Sequence, residues 1–281
     1  MPSDRAMEPP AVEVRGVSHT FGRGGPNEVT ALHDVDLALE PGAFVVLFGP
    51  NGSGKSTLLS AVAGDFVPDI GSVRVGGVDV TRRPAHDRAR VIGRVLQEPS
   101  LGTAESLSVA ENLALAGQRA ASRRGLRAAL TARTRHDLAD RVAGLRMGLE
   151  DRLDTPMAQL SGGQRQALTL LMATLVRPEV LLLDEHMAAL DPRSAEEVLR
   201  LTREMIARDR LTVLMVSHSM QHVVRLGDRA VMMHRGRIVQ DFSGARKRRL
   251  RVEELLDSFA AVRNADLLDD AAAAMLARTY V

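Results

Sequence analysis

Residues Ala43 to Thr57 read AFVVLFGPNGSGKST, and the fold turns on how that stretch is read. Ala43 to Gly49 is uncharged and rich in β-branched and aromatic residues, which predicts a buried strand. A glycine-rich loop follows, and a helix is expected to begin near Lys55. The loop has the pattern of a glycine, four residues and then Gly-Lys-Ser, set between a strand and a helix as a phosphate loop requires. Gly49, Gly52 and Gly54 let backbone N–H groups converge on phosphate oxygens, and the helix N-terminus adds the positive end of its dipole. Lys55 contributes a point charge, and the Ser56 hydroxyl can ligate Mg²⁺. A glycine-rich loop alone is often only a tight turn. Here the flanking elements make Gly49, Pro50, Asn51, Gly52, Ser53, Gly54, Lys55, Ser56 and Thr57 candidate nucleotide-binding residues.

The rest of the chain is consistent with a globular domain around such a loop. Its 281 residues are 45% hydrophobic, enough for one large domain or two modest ones. The absence of cysteine excludes disulfides, thiolate metal sites and cysteine nucleophiles. No apolar run approaches the roughly 20 residues that span a bilayer. MPSDRAMEPP lacks the charged-then-apolar order of a signal peptide, so residues 1–11 are expected to be a disordered leader. The formal net charge is +2, and the pI of 9.6 reflects late-titrating arginine rather than a nucleic-acid footprint.

Period and breakers alternate between strand and helix, which predicts an α/β fold with a largely parallel sheet. AVEVRGVSHTF and VTALHDVDLALEPG form an opening β-rich segment. Between about Glu98 and Gln166 the β-branched runs give way to Ala, Leu and Arg at helical spacing, as in SVAENLALAGQRA and RHDLADRVAGLRM. This reads as a helical insertion. Strands resume with EVLLLD, LTVLMVSH and RAVMMHRGRIVQDF, where HRGR is a hairpin turn. A tail over 246–281 is helical in propensity, basic first and alanine-rich last.

Leu181 to Pro192, LLLDEHMAALDP, carries the second chemical signal. A buried leucine run rarely ends in two acids unless something cationic waits there. Asp184 and Glu185 at the end of one strand, and the phosphate loop at the end of another, suit a shared Mg²⁺-nucleotide site.

The segment LSGGQRQALTL from Leu160 separates this chain from other phosphate-loop proteins. Ser161 is expected to cap a helix running from Gln164 onward. With the two motifs above, it makes the chain resemble the ATP-binding-cassette (ABC) ATPases from about Val12 to Phe242. The resemblance implies a RecA-like phosphate-loop NTPase core with a mostly parallel sheet, an N-terminal antiparallel β part and an inserted α-helical subdomain. It implies an ATPase domain over 12–245, with ATP and Mg²⁺ as cofactors.

Residue roles follow from the same resemblance. Phe21 matches the aromatic that stacks on adenine, with an ordinary core phenylalanine as the alternative. Gln97 matches the glutamine that reaches Mg²⁺ and the attacking water. Asp184 would hold Mg²⁺, together with Ser56; Glu185 would polarise the water, and His218 would contact the γ-phosphate. Asp191 would cross a dimer interface. Ser161, Gly162, Gly163 and Gln164 would close on the nucleotide of a second copy, so the working unit is a dimer enclosing two ATP molecules.

The resemblance further implies a motor subunit on the cytoplasmic face of the membrane, with integral-membrane permease subunits as partners. Residues 98–116 would receive a permease helix, although periodicity alone leaves them equally an exposed amphipathic helix. A narrower similarity, to ATPases encoded beside tryptophan- and tyrosine-type substrate-binding proteins, implies an importer of amino acids or related solutes and a binding protein as indirect partner. An exporter motor is one alternative; an ABC ATPase acting on nucleic acid or the ribosome is another. No nucleic-acid partner is expected, since the compact spacing of Lys55 and Asp184 and the lack of cysteine disfavour it. The common Pro-Thr or Pro-Ser after the glutamate is replaced here by His186-Met187, a departure expected to tune the turn rather than abolish activity.

Overall fold

In the computed structural model, which describes residues 9–120 and 130–262, the strands form two sheets. The first strands are β1 (Val12–Phe21), β2 (Val29–Leu39), β3 (Phe44–Phe48), β4 (Ile70–Val75) and β5 (Val78–Asp79). β6 (Ile92–Val95), β7 (Val180–Asp184), β8 (Val213–Val216), β9 (Arg229–His234) and β10 (Arg237–Phe242) follow. A four-stranded antiparallel sheet has the order β2-β1-β4-β5, and a six-stranded sheet has the order β10-β9-β3-β8-β7-β6. All pairings in the larger sheet are parallel except β9 with β10, the expected hairpin.

Side chains alternate across a strand, so each parallel strand feeds two cores. Phe44, Val46 and Phe48 of β3 join Leu181, Leu183, Val213 and Met215 on the face that meets the helical part. Val45 and Leu47 join Leu182, Leu214 and Val216 on the other face, against Leu58, Leu59 and Val62 and the antiparallel sheet. Burial on both faces explains why these strands are uninterrupted apolar runs rather than alternating ones.

The helices are α1 (Lys55–Ala63), α2 (Ala85–Arg88), α3 (Val109–Gly117) and α4 (Ala132–Ala143). Then come α5 (Gly162–Thr174), α6 (Pro192–Asp209), α7 (Met220–Arg225) and α8 (Gly244–Arg249), and residues 252–262 are also helical among the described residues. Capping boxes start α3 at Ser108 with Glu111, and α5 at Ser161 with Gln164. The C-terminus of α1 is covered differently. Arg88, 1% exposed, donates from Nη1 to the carbonyls of Ala61 and Val62 at 2.7 and 2.9 Å. Its Nε and Nη2 bond to the carbonyls of Arg83 and Thr81, so each nitrogen of the buried guanidinium has a partner.

Three expected boundaries move. Ala11, assigned to the leader, is buried and its carbonyl accepts from Gly76 N. The helical part does not end at Gln166, because α5 continues to Thr174 as one helix whose inner residues belong to the core. The tail is not separate where it is described: Leu250 and Leu255 are buried in the main core, and Phe259 packs against Phe48. The leader through residue 8 and the alanine-rich end from residue 263 lie outside the described residues.

Candidate functional site

The order β3-β8-β7-β6 brings the carboxyl ends of parallel strands side by side, the edge at which open α/β sheets place their ligands. Register keeps those ends level: Leu47 and Asp184 both pair with Val216, and Leu183 pairs with Val95. From that edge emerge the loop at 49–54, the acids at 184–185, His218, and Gln97, which lies exposed two residues beyond β6. The shared site expected from the loop and the acids is thus produced by sheet order.

The loop takes a conformation that its glycines permit. Gly54 has φ of +98°, and a Cβ there would lie 2.6 Å from the Ala31 carbonyl oxygen. Gly49, at φ of +147°, has the Met233 carbonyl where a Cβ would stand. These close approaches come from β2 and β9, and the β9–β10 turn braces the loop as well: Gly236 N donates to the Ser53 carbonyl at 3.0 Å, and the Gly236 carbonyl accepts from His33 N at 2.9 Å. The hairpin was legible at HRGR, whereas its role as a buttress 180 residues along the chain was not.

Lys55 is 5% exposed and reaches back over the loop, donating to the carbonyls of Gly49 and Pro50 at 3.0 and 2.8 Å. Burial pushes its ammonium below the usual lysine range, and the Glu185 and Asp184 carboxylates oppose that shift. Those two carboxylates therefore face the loop lysine. Ser56 Oγ donates to Asp184 Oδ1 at 3.1 Å across 128 residues of chain.

The Ser56–Asp184 pair fits a magnesium site. It sets a hydroxyl and a carboxylate, both hard oxygen donors, side by side at the phosphate end of the loop. Mg²⁺ uses one or two carboxylates together with phosphate oxygens rather than an all-protein cage. In keeping with that, no group of three or more His, Cys, Asp or Glu side chains suited to a metal occurs among the described residues.

Glu185 has a left-handed backbone, φ of +45°, an uncommon and strained conformation for a residue with a Cβ. Its carboxylate Oε1 pairs with His218 Nε2; the glutamate side chain is largely buried and the histidine more open. Beside this pair is a mostly apolar cavity of about 240 Å³, whose lining includes Met187, Ala188, Met215 and His222.

Phe21 stands at the end of β1, 44% exposed, which rules out the ordinary core reading. It meets His19 and Phe66 edge-on, with ring centroids 4.5 and 5.4 Å away, while His19 and Phe66 stack on each other at 4.1 Å. Sequence reading missed these two supports, since Phe66 reaches the cluster from the loop after α1.

Ser161 and Gln164 bond to each other and, through Gln164, to Met147 and Arg152 in the helical part. They make no such link to the loop of their own chain. Ser161 and Gly162 are exposed, and Gly163 packs so closely on α6 that a Cβ would lie 2.9 Å from Ser194 Cβ. Asp191 caps α6, accepting from Arg193 N and Ser194 N at 3.1 Å each. Its hydrogen bonds from Ser194 hold its carboxyl below the usual range. The expected interface residue thus also has a structural task.

His186, which the sequence set beside the acids, points away from them. It is 1% exposed, its Nε2 is 3.2 Å from Thr202 Oγ1, and burial, assisted by nearby His222, pushes its pKa down to about 4.

A family model described as ABC transporter matches residues 32–188. The tyrosine transport ATP-binding protein of Clostridioides difficile (strain R20291) is 38% identical over 250 residues, covering 88% of this chain and 98% of that protein. A phosphonates import ATP-binding protein of Thiobacillus denitrificans is also 38% identical, over 82% of this chain and 86% of that one. Among solved structures, a dimeric bacterial ABC transporter cassette superposes with a TM-score of 0.70 at 26% identity, over 82% of this chain and 97% of that one. A dimeric post-hydrolysis cassette bound to ADP and phosphate superposes at 0.68, again with 26% identity and the same coverage.

Proposed function

The chain belongs to the ABC transporter family of ATPases, and from that premise we propose that it is the ATP-hydrolysing motor of a bacterial importer for amino acids or related small solutes. The observation that carries the catalytic part is the convergence of Lys55, the Ser56–Asp184 pair and the Glu185–His218 pair at one sheet edge. Import is supported by relatives named for phosphonates import and aliphatic sulfonates import, and the amino-acid class by one named for tyrosine transport. An exporter motor, with the same ATP chemistry, is the second reading.

In this proposal Phe21 offers its exposed ring to the adenine, and Lys55 with the loop N–H groups holds the phosphates. Ser56, Asp184 and Gln97 hold Mg²⁺, which when bound offsets charge on the phosphate oxygens. Glu185 orients the attacking water and draws on its proton, and His218 fixes the γ-phosphate and the Glu185 carboxylate relative to each other. The exposed N-terminus of α5, with Ser161 to Gln164, serves the nucleotide of a second copy, its free N–H groups facing an anion.

Two copies then dock on permease subunits at the cytoplasmic face of the membrane, and a substrate-binding protein delivers the solute from the other side. Residues 98–116 are the proposed seat for the permease, with Leu101 71% exposed and Leu115 44% exposed on that segment. The ATPase domain of this reading takes in Ala11 at one end, and its core includes Leu250 and Leu255 from the helical turns at the other.

The test is reconstitution of the chain with the permease and binding protein encoded beside its gene. ATP-dependent accumulation of tyrosine or tryptophan inside proteoliposomes, lost with Glu185→Gln, is the expected result. ATP-dependent extrusion instead would favour the exporter reading.

A further inference from the structure

Glu185 and Asp191 are six positions apart, and the segment between them consists of turns: Ala188 N donates to the Glu185 carbonyl at 2.9 Å and Leu190 N to the Met187 carbonyl at 3.2 Å. One end of the segment is fixed to α6 by the Asp191 cap. The other end is fixed by His186, whose ring enters the core while the neighbouring Glu185 side chain faces His218. The left-handed backbone at Glu185 is what sends the two consecutive side chains to different places.

The protons of the His186 contact can be assigned. Thr202 has one hydroxyl hydrogen, and it goes to the Val198 carbonyl at 2.8 Å. The Thr202 oxygen is therefore left to accept, so His186 Nε2 carries the proton and donates. Nδ1 is then an unprotonated nitrogen, buried and without a partner among the described residues. A ring in that position cannot exchange protons with substrate. Its one strong interaction is a tether to the third turn of α6, and an uncompensated buried nitrogen is a cost the fold bears beside its proposed base.

We infer that His186 is a positioning residue: by donating to Thr202 it clamps the Glu185–Leu190 turns onto α6 and thereby sets the direction of the Glu185 carboxylate. The inference rests on Glu185 being the residue that orients water. It gives the His186-Met187 departure a physical purpose. The helix that carries Asp191 toward a second copy also holds the catalytic turn, so a shift of α6 is transmitted to Glu185 through one hydrogen bond. Met187, buried against the cavity beside Glu185 and His218, fills the space that the turn encloses.

The experiment uses the purified full chain and measures steady-state ATPase kinetics, fluorescent ATP-analogue affinity and melting temperature in parallel. Thr202→Val keeps the shape and removes the acceptor; Thr202→Ser keeps the acceptor. Thr202→Val is expected to lower kcat by about ten-fold or more, within the range that a misplaced catalytic group costs, with KM and nucleotide affinity within about two-fold of wild type. Thr202→Ser is expected to retain kcat within about two-fold. A long-range ¹⁵N–¹H spectrum should show the His186 Nε2–H tautomer in wild type. Wild-type kcat in Thr202→Val, an equal fall in kcat for Thr202→Ser, or an Nδ1–H tautomer would each overturn the inference. Glu185→Gln in the same assay separates the two readings. If it retains full turnover, the base assignment fails; if it is inactive while Thr202→Val is normal, only the positioning role fails.

Discussion

Ser56 and Asp184 share a 3.1 Å hydrogen bond although they stand 128 positions apart, and that bond joins the phosphate loop to the end of β7. The pairing follows from sheet order, with β8 lying between β3 and β7 and holding all three ends level. Asp184→Asn keeps the size of the side chain and removes its charge. It should raise the Mg²⁺ concentration for half-maximal ATPase activity by about ten-fold or more, about 1.4 kcal/mol. Titration of activity with Mg²⁺ at saturating ATP checks this, and an unchanged midpoint would remove Asp184 from the site.

Replacing Glu185 by glutamine should lower kcat by about 100-fold or more, the range for loss of a general base. ATP affinity should stay near that of the wild type, because Lys55 and the loop amides are untouched. Rapid-quench measurement of phosphate release alongside equilibrium ATP binding distinguishes this from a binding defect.

Phe21 is exposed and leans on His19 and Phe66 rather than on the main core. Phe21→Ala should therefore leave the melting temperature nearly unchanged while raising KM for ATP about ten-fold, consistent with about 1–3 kcal/mol for stacking of a base on an aromatic ring. Phe21→Tyr should behave as wild type. If KM is unmoved by the alanine, the base is bound elsewhere.

Burial holds His186 neutral, with a pKa of about 4 against an ordinary 6.5. The unfolded chain binds this proton more readily than the folded one, so protonation favours unfolding. The group's contribution is fully present above about pH 6.5 and declines as pH falls toward 4, by about 3 kcal/mol in all. Urea unfolding from pH 7.5 to 4.5 should show that decline. His186→Gln should flatten this part of the profile, and an unchanged slope in the variant would assign the acid sensitivity to other groups.

Local chemistry was readable in the sequence, and so was the meeting of the phosphate loop with Asp184, but long-range contacts without a chemical motif were not. The strand, loop and helix at 43–63 are self-announcing, because a glycine pattern, a lysine and an uninterrupted apolar run each have few physical solutions. The same is true of Ser161, whose capping partner is three residues away. The β4–β5 hairpin was missed although SVRVGGVDV shows alternation around a Gly-Gly turn, since β5 is only two residues long. Arg88 could not be found at all: an arginine in an exposed-looking run gives no sign that its partners are backbone carbonyls. His186 was legible only as a departure in the turn, and its inward course was not, for a related reason. Adjacency in sequence does not show where a side chain goes, and one left-handed residue, Glu185, turns the next side chain inward.

The guanidinium of Arg88 has a reach beyond its own hydrogen bonds. α1 presents its positive pole to the phosphate loop, and Arg88 covers the negative pole at the opposite end, about 14 Å away for a helix of this length. With one pole neutralised, the helix behaves toward an anion more like an isolated positive charge than like a dipole whose two ends partly cancel. The segment at 81–88, which ends in α2, is thereby coupled electrostatically to the phosphate site at the far end of α1.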